Sequence, residues 1–453
     1  MSSRIVEVKP ERFERIGAHT HIRGLGLDKN GRALKVAAGM VGQVEAREAA
    51  GIVVQMIKEG KMAGRGVLLV GPMGTGKTAI AIAIARELGK DTPFVSLSGS
   101  EIFSTEIKKT EILMQALRKA IGVRIREIRK VYEGVVKELH IRFVKHPYNP
   151  YARIPGGARI TLATKEEEKT FTVDEEITQE LIAKGIRRGD VIWIDSETGR
   201  VTKIGRAKGI EKAKYYDREV DEIVDIPTGP ILKEKEIIHT VTLHDLDVSL
   251  SRQSGLISLL FGFGTEKEIS PEIRQRVDNE VKKLVEEGRA EIIPGVLFID
   301  DVHMLDIEAF AFLSRAMESE LAPIIILATN RGITKIRGTD IEAPHGIPLD
   351  LLDRLLIIPT RTYTEDEIRE IIRIRSDAEE IPLSDDALEE LTKIGVETSL
   401  RYAVQLMEPA WEVAKRKGKN KVEGEDVKEV KRLFADVKRS VEYVKEYESL
   451  FLR

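Results

Sequence analysis

Apolar positions along this chain follow three different rhythms, and each predicts a different kind of element. Gly66-Val67-Leu68-Leu69-Val70, Gly295–Ile299 and Pro323–Ala328 are short uninterrupted apolar runs. Runs of this kind mark strands covered on both faces, as in a parallel sheet. Elsewhere the apolar residues recur every three or four positions. Thr78–Glu87 and Glu106–Ile121 read as helices on this basis, the second with Ile107, Ile112, Leu113, Leu117 and Ile121 on one face. Glu272–Glu287 carries Ile273, Val277, Val281, Leu284 and Val285, with Pro271 at its start and Gly288 past its end. Beyond Asp366 the helical spacing returns in Glu367–Ser376, Ser384–Ile394, Ser399–Lys417 and Gly424–Phe434, a C-terminal helical bundle; Ser384 followed by Ala387 and Leu388 reads as a capped start.

The third rhythm is that of short strands. Val135–Val144, Ala158–Thr164, Lys169–Val173, Val191–Asp195 and Val201–Gly205 are separated by turn signals such as Pro155-Gly156-Gly157, Arg188-Gly189-Asp190 and Glu197-Thr198-Gly199. They predict a small inserted β-barrel, OB-like, with a sandwich as the alternative. The resulting fold class is α/β: a parallel-sheet core, an inserted barrel and a helical bundle. The expected segments are 1–121 and 295–366 for the core, 122–294 for the insert and 367–453 for the bundle.

The chemistry is concentrated in Gly71–Thr78, G-P-M-G-T-G-K-T, between a predicted strand and a predicted helix. This is the G-x-x-x-x-G-K-[ST] loop, whose glycines let consecutive main-chain N–H groups turn toward one anion at a helix N-terminus. Gly71, Pro72, Gly74, Thr75, Gly76 and Ala79 would cradle phosphate, Lys77 would reach the β- and γ-phosphates, and the Thr78 hydroxyl would bind Mg²⁺. A partner strand ending in acid appears only at Asp300-Asp301. The distance along the chain is far more than one nucleotide domain needs, since ordinary connections are a few residues. A domain is therefore inserted between two halves of one site.

Asp300 is expected to serve Mg²⁺. Asp301, pointing the opposite way if the strand continues, is expected to polarise an attacking water. The strand Pro323–Ala328 ends at Thr329-Asn330, and Asn330 is expected to orient that water or to touch the γ-phosphate; on its own it would read as a turn residue. Arg354, in Pro348-Leu349-Asp350-Leu351-Leu352-Asp353-Arg354, reads either as a surface ion pair or as an arginine finger for a neighbouring subunit. Arg401, following Leu400 at the start of a bundle helix, would bridge the bundle to the nucleotide.

Bulk composition narrows the remaining choices. A chain of 453 residues exceeds one core and implies two or three domains. There is no cysteine, which removes disulfides, thiolate catalysis and Cys-based metal sites. The net charge of −3 leaves room for a local basic patch only. No apolar stretch is long enough to predict a membrane span, and the polar N-terminus reads as no signal core, so a cytoplasmic location is expected, with association with the nucleoid as a variant of it. Arg118, Lys119, Arg124, Arg126, Arg129 and Lys130 open the insert, and with Phe143, Tyr148, Tyr151 and Trp193 they suggest single-strand binding by stacking and phosphate contact. A solvated helix face is the alternative for the basic stretch.

The ordered set of loop, acids, Asn and two arginines resembles an AAA+ ATPase, with Walker A at Gly71–Thr78, Walker B at Val296–Asp301, the sensors at Asn330 and Arg401 and the finger at Arg354. Further stretches are similar to the RuvB-like (pontin and reptin) family. These are Ala18–Asp28 (A-H-T-H-I-R-G-L-G-L-D), Ser104–Glu111, Val241–Asp247 and His345–Arg354. The similarity is weakest over Lys137–Ile226, and the absence of cysteine from the chain with the brevity of the insert suggests an archaeal-type member.

The resemblance implies three domains and a homo-hexamer, as a single or double ring. It implies ATP/ADP with Mg²⁺ at subunit interfaces, DNA or RNA engaged through the insert, and protein partners. It also implies that His19, His21, Gly39, Val41, Gly42, Tyr363, Ile371 and Leu400 lie near the adenine. DNA remodelling of a helicase-like kind is then the expected function, with a nucleotide-controlled assembly scaffold as the alternative. One departure stands out: the family carries Glu where this chain has Asp301. A carboxylate one methylene shorter predicts intact ATP binding and slow hydrolysis.

Overall fold

The computed structural model describes residues 6–8, 21–89, 91–145, 153–208, 223–260 and 268–451. By compactness the chain divides into one unit of residues 1–10 with 124–239 and another of 11–123 with 240–453.

The larger unit is built on a five-stranded parallel sheet. Its order is Leu355–Pro359, Gly66–Val70, Ile324–Thr329, Val296–Asp300, Phe94–Ser98. The uninterrupted apolar runs form its middle strands, and the reason is visible in the packing. Val67 and Leu69 face Ile80, Ala83 and Ile84 of the helix Lys77–Leu88 and Ala50 and Val53 of the helix Val44–Lys58. Leu68, between them, faces the opposite layer, with Leu113 and Leu117 of Lys109–Lys119 and Phe310 and Leu313 of Ile307–Met317. Both sides of each strand are covered, so no polar alternation is needed. The candidate functional residues emerge at the C-terminal ends of the strands, which is where open α/β sheets place their ligands.

The bundle matches its helical rhythm. Glu365–Ala378 starts at Thr364 with a reciprocal capping box to Glu367, and Asp385–Glu397 starts at Ser384, whose hydroxyl accepts from the Ala387 N–H at 3.3 Å. The stretch 399–417, expected as one helix, is two: Leu400–Gln405 and Met407–Arg416. Pro409 explains the break, because its ring would meet the carbonyl four residues earlier, that of Gln405, in a continuous helix. A last helix, Val437–Phe451, was not foreseen.

The smaller unit contains all five expected strands in extended form: Ile121–Lys145, Arg153–Ala163, Glu168–Val173, Asp190–Asp195 and Val201–Ala207. The long strand Ile121–Lys145 pairs antiparallel with Arg153–Ala163 and with Asp190–Asp195. Val136, Ile160, Leu162, Leu181, Ile192 and Val201 form its core. Leu232–Thr242 and the Asp174-capped helix Glu175–Ala183 were not anticipated. The compact unit ends at His239, whereas the sequence reading carried the insert to residue 294. The helices Leu243–Leu260 and Pro271–Glu286 belong to the larger unit, tied to Lys109–Lys119 by Arg118, which forms a buried ion pair with Asp247 and a partly exposed one with Asp278.

Candidate functional site

The loop after Gly66–Val70 takes the path its glycines permit. Gly74 and Gly76 have φ of +76° and +82°, the left-handed region that side chains disfavour. Gly76 also caps the helix Lys77–Leu88 and sits so close to Tyr363 that an added Cβ would lie 2.5 Å from its hydroxyl. Thr75 is locked from the side, its hydroxyl 2.6 Å from that of Thr360 and 2.9 Å from the Pro72 carbonyl. Lys77 folds back over the loop and donates to the carbonyls of Gly71 at 2.9 Å and Pro72 at 2.7 Å. Burial lowers its pKa, opposed by the nearby Asp300 and Asp301 carboxylates.

Two strands away in the sheet, the acid strand stops at Asp300. The expectation that Asp301 continues the strand and points the other way is not met. Asp301 has φ 48° and ψ 46°, a left-handed turn residue, and its N–H donates to Asp300 Oδ1 at 2.9 Å. Aspartate tolerates this conformation better than most residues, because its short side chain bonds locally. Burial raises the Asp300 pKa, with the Asp301 N–H bond acting against it. Asn330, just past Ile324–Thr329, has a buried Oδ1 with no hydrogen-bond partner. Sequence reading overlooked His303, whose Nδ1 lies 3.4 Å from the Thr329 hydroxyl and which burial makes less basic.

One cavity of about 510 Å³ gathers most of these groups. At one end it is lined by Gly74, Thr75, Gly76, Lys77, Thr78, Ala79, Asp300, Asp301 and Asn330. At the other end it is lined by His21, Gly39, Val41, Tyr363, Ile371, Leu400 and Arg401. Burial pushes the Tyr363 hydroxyl up to about 12, and it donates to the Thr75 carbonyl at 3.3 Å, so the phenol ties the two ends together in neutral form. Arg401 sits in the first turn of Leu400–Gln405, which is capped by Ser399, and its charge reaches Lys77 strongly enough to lower the Lys77 pKa further.

Gly71, Pro72 and Gly42 shape the walls without lining the cavity; a Cβ on Gly71 would lie 2.2 Å from the Thr360 hydroxyl and one on Gly42 2.2 Å from Glu367. Arg354 stands apart, half-exposed and paired with Glu318. His19 lies outside the described residues. The cavity also includes Ile22 of the Ala18–Asp28 stretch, Met40 between Gly39 and Val41, and Met73 of the Gly71–Thr78 loop, together with Arg375, Val404 and Gln405, which lie in no motif.

The oxygen donors Thr78 and Asp300 on one cavity suit a hard cation of the Mg²⁺ kind. Among the described residues no group of three or more His, Cys, Asp or Glu could hold a metal alone. Mg²⁺ fits that pattern, since it takes one or two protein ligands and completes its shell from phosphates and water.

The nucleic-acid reading of the insert needs correction at several residues. The stretch 121–145 is a strand, not a helix face. Arg118 is buried, donating to Asp247 Oδ1 at 2.6 Å and to Asp278 at 2.8 Å. Arg129 is paired with Glu127 and Asp195. Trp193 is in the core at 3% exposure, so no base can stack on it, whereas Phe143 is 55% exposed. Tyr148 and Tyr151 lie outside the described residues. No helix among those described is long and apolar enough to cross a membrane.

Comparison with known proteins agrees with this geometry. Residues 15–366 match the model of the TIP49 P-loop domain and residues 371–436 that of the TIP49 AAA-lid domain. The chain is also 47% identical over 456 residues to "RuvB-like helicase 1" of Aedes aegypti, covering 99% of this chain and 100% of that protein.

Proposed function

Because this chain belongs to the TIP49, RuvB-like family of AAA+ ATPases, we propose that it couples ATP binding and hydrolysis, in a ring of its own copies, to helicase-like remodelling of DNA. The observation that carries the hydrolytic reading is Asn330. Asn330 lines the same cavity as Lys77, Asp300 and Asp301, and its Oδ1 is buried with no hydrogen-bond partner. An unpaired buried acceptor costs stability, and a water donating to it is the partner this one lacks.

Each residue then has a role. Lys77 exchanges its loop carbonyls for phosphate oxygens, and its lowered pKa reports the burial that such a ligand would offset. Thr78 and Asp300 would hold Mg²⁺, which when bound would neutralise phosphate charge. Asp301 takes the proton of the attacking water while Asn330 orients that water. Arg401 adds positive charge from the bundle, so closure of the bundle over the nucleotide completes the site. Arg354, outside this cavity, serves the nucleotide of the next subunit in the ring. His21, Gly39, Val41, Tyr363, Ile371 and Leu400 enclose the base.

The test is the ATPase rate of protein of known oligomer size, with and without single-stranded DNA, across a salt series. DNA-stimulated turnover that fades steeply with salt supports the remodelling role. Slow turnover indifferent to DNA, with nucleotide-dependent capture of a protein partner, would support the scaffold instead. Hydrolysis unaffected by Asn330→Ala would remove Asn330 from the site.

A further inference from the structure

The segment from His21 to Val41 forms one wall of the cavity, yet it has little regular structure to hold it. Its only strands are Val36–Ala37 and Met40–Val41, two residues each. Ile22, Leu25 and Met40 pack into the core, and Glu87 and Glu48 accept from the Leu25 and Ala33 N–H groups, but the largest set of bonds to its main chain comes from one side chain of the following helix. Arg47 is fully buried. Its guanidinium donates to four main-chain carbonyls: Leu25 at 2.7 Å, Gly26 at 2.9 Å, Leu34 at 2.7 Å and Gly42 at 3.0 Å. Its hydrogen bonds go to no carboxylate. Gly26 makes the approach feasible, since a Cβ there would lie 2.6 Å from an Arg47 nitrogen. Burial lowers the Arg47 pKa, but a guanidinium stays charged in proteins.

Gln43 makes the second connection. It is buried, with φ 48°. Its side-chain amide reads the main chain of Arg361 in both directions: Nε2 donates to the Arg361 carbonyl at 2.6 Å and Oε1 accepts from the Arg361 N–H at 3.1 Å. Two residues further on stands Tyr363, bonded to Thr75 of the phosphate loop. Neither Arg47 nor Gln43 lines the cavity.

We propose that Arg47 and Gln43 are positioning residues for the base end of the pocket: Arg47 pins the wall 21–42 by its carbonyls, and Gln43 ties that wall to the segment carrying Tyr363. The inference rests on the nucleotide reading given above. It goes beyond it in assigning base affinity to two residues that the base does not touch. Loosening either should weaken ligands that carry a base and spare those that are phosphate alone.

The experiment measures binding of ADP and of inorganic tripolyphosphate to full-length Arg47→Met, Arg47→Lys and Gln43→Gly, beside kcat and KM for ATP. Arg47→Met should weaken ADP about ten- to a hundredfold, given the strength of hydrogen bonds to a buried charge. Tripolyphosphate binding should hold, and the loss should fall on KM rather than kcat. Arg47→Lys has three donors for four carbonyls and should fall between. Gln43→Gly keeps the left-handed backbone while deleting the amide. It decides the matter if Arg47→Met does not fold. Wild-type ADP affinity in folded Gln43→Gly and Arg47→Lys overturns the proposal, and so does equal weakening of ADP and tripolyphosphate. Failure of the unaltered protein to bind either ligand would instead sink the nucleotide reading itself.

Discussion

The two ends of the cavity are built in opposite ways. The end proposed for phosphate is one contiguous loop, Gly71–Thr78, joined by two acids and an amide at the ends of neighbouring strands. The end proposed for the base is assembled from His21–Val41, Tyr363, Ile371 and the Leu400–Gln405 helix, pieces hundreds of residues apart. On the proposed reading, the difference follows from what each end would recognise. A phosphate needs several N–H groups aimed at one point, and only a short stretch with left-handed glycines supplies them. A base needs apolar surface on two faces, which any distant segments can supply if the fold brings them together.

The largest effect is expected at the phosphate end. Lys77→Ala should reduce ATP turnover by about a hundred- to a thousandfold, the usual cost of removing one group that stabilises charge in the transition state. Unchanged turnover in a steady-state assay would end the reading of the loop. This residue was legible in the sequence because its role depends on spacing alone. Its present partners, the carbonyls of Gly71 and Pro72, were not.

Next in size is Asp301→Glu. If the shorter carboxylate leaves water misplaced, single-turnover hydrolysis should rise by up to about a hundredfold, since errors near 1 Å cost that much. The left-handed backbone at this position suits Asp better than Glu, so the gain should come with a small loss of stability. No gain would show that the missing methylene does not limit the rate.

The base end should respond less. Tyr363→Ala should weaken ADP about tenfold, from the apolar contact of one buried ring. Because burial holds the Tyr363 hydroxyl near 12, ADP affinity in the unaltered protein should show no titration from this group between pH 6 and pH 9. A tyrosinate signal in that range by ultraviolet difference absorption would contradict it.

The smallest effect concerns stability and separates it from function. Asp300 has a pKa raised by burial. A raised folded-state value means that stability is greater below the unfolded pKa and is lost as pH rises through the folded one. At neutral pH the buried carboxylate is therefore a cost. Asp300→Asn should raise the melting temperature of the ligand-free protein slightly while abolishing Mg²⁺-dependent hydrolysis. A lowered melting temperature in differential scanning fluorimetry would refute this sign.

The insert shows where pattern reading stopped. Its strands were legible because alternation is local, but Trp193 and Arg118 were misjudged as available to a ligand. Whether an aromatic or a cation is exposed depends on what packs over it, and here the core and the Asp247–Asp278 pair do so. The break at Leu406 was readable in principle from Pro409. The helical rhythm on both sides concealed it.

The sequence by itself determined the parallel core, the phosphate loop, the acid pair, Asn330 and the split of the nucleotide domain by an insert, since each follows from spacing or local backbone preference. Tertiary structure decided the turn that carries Asp301, the wall pinned by Arg47, the link from Gln43 to Arg361 and the boundary of the insert at His239. Those depend on side chains meeting main chain far away in sequence, and no local pattern encodes which distant carbonyl a buried cation will find.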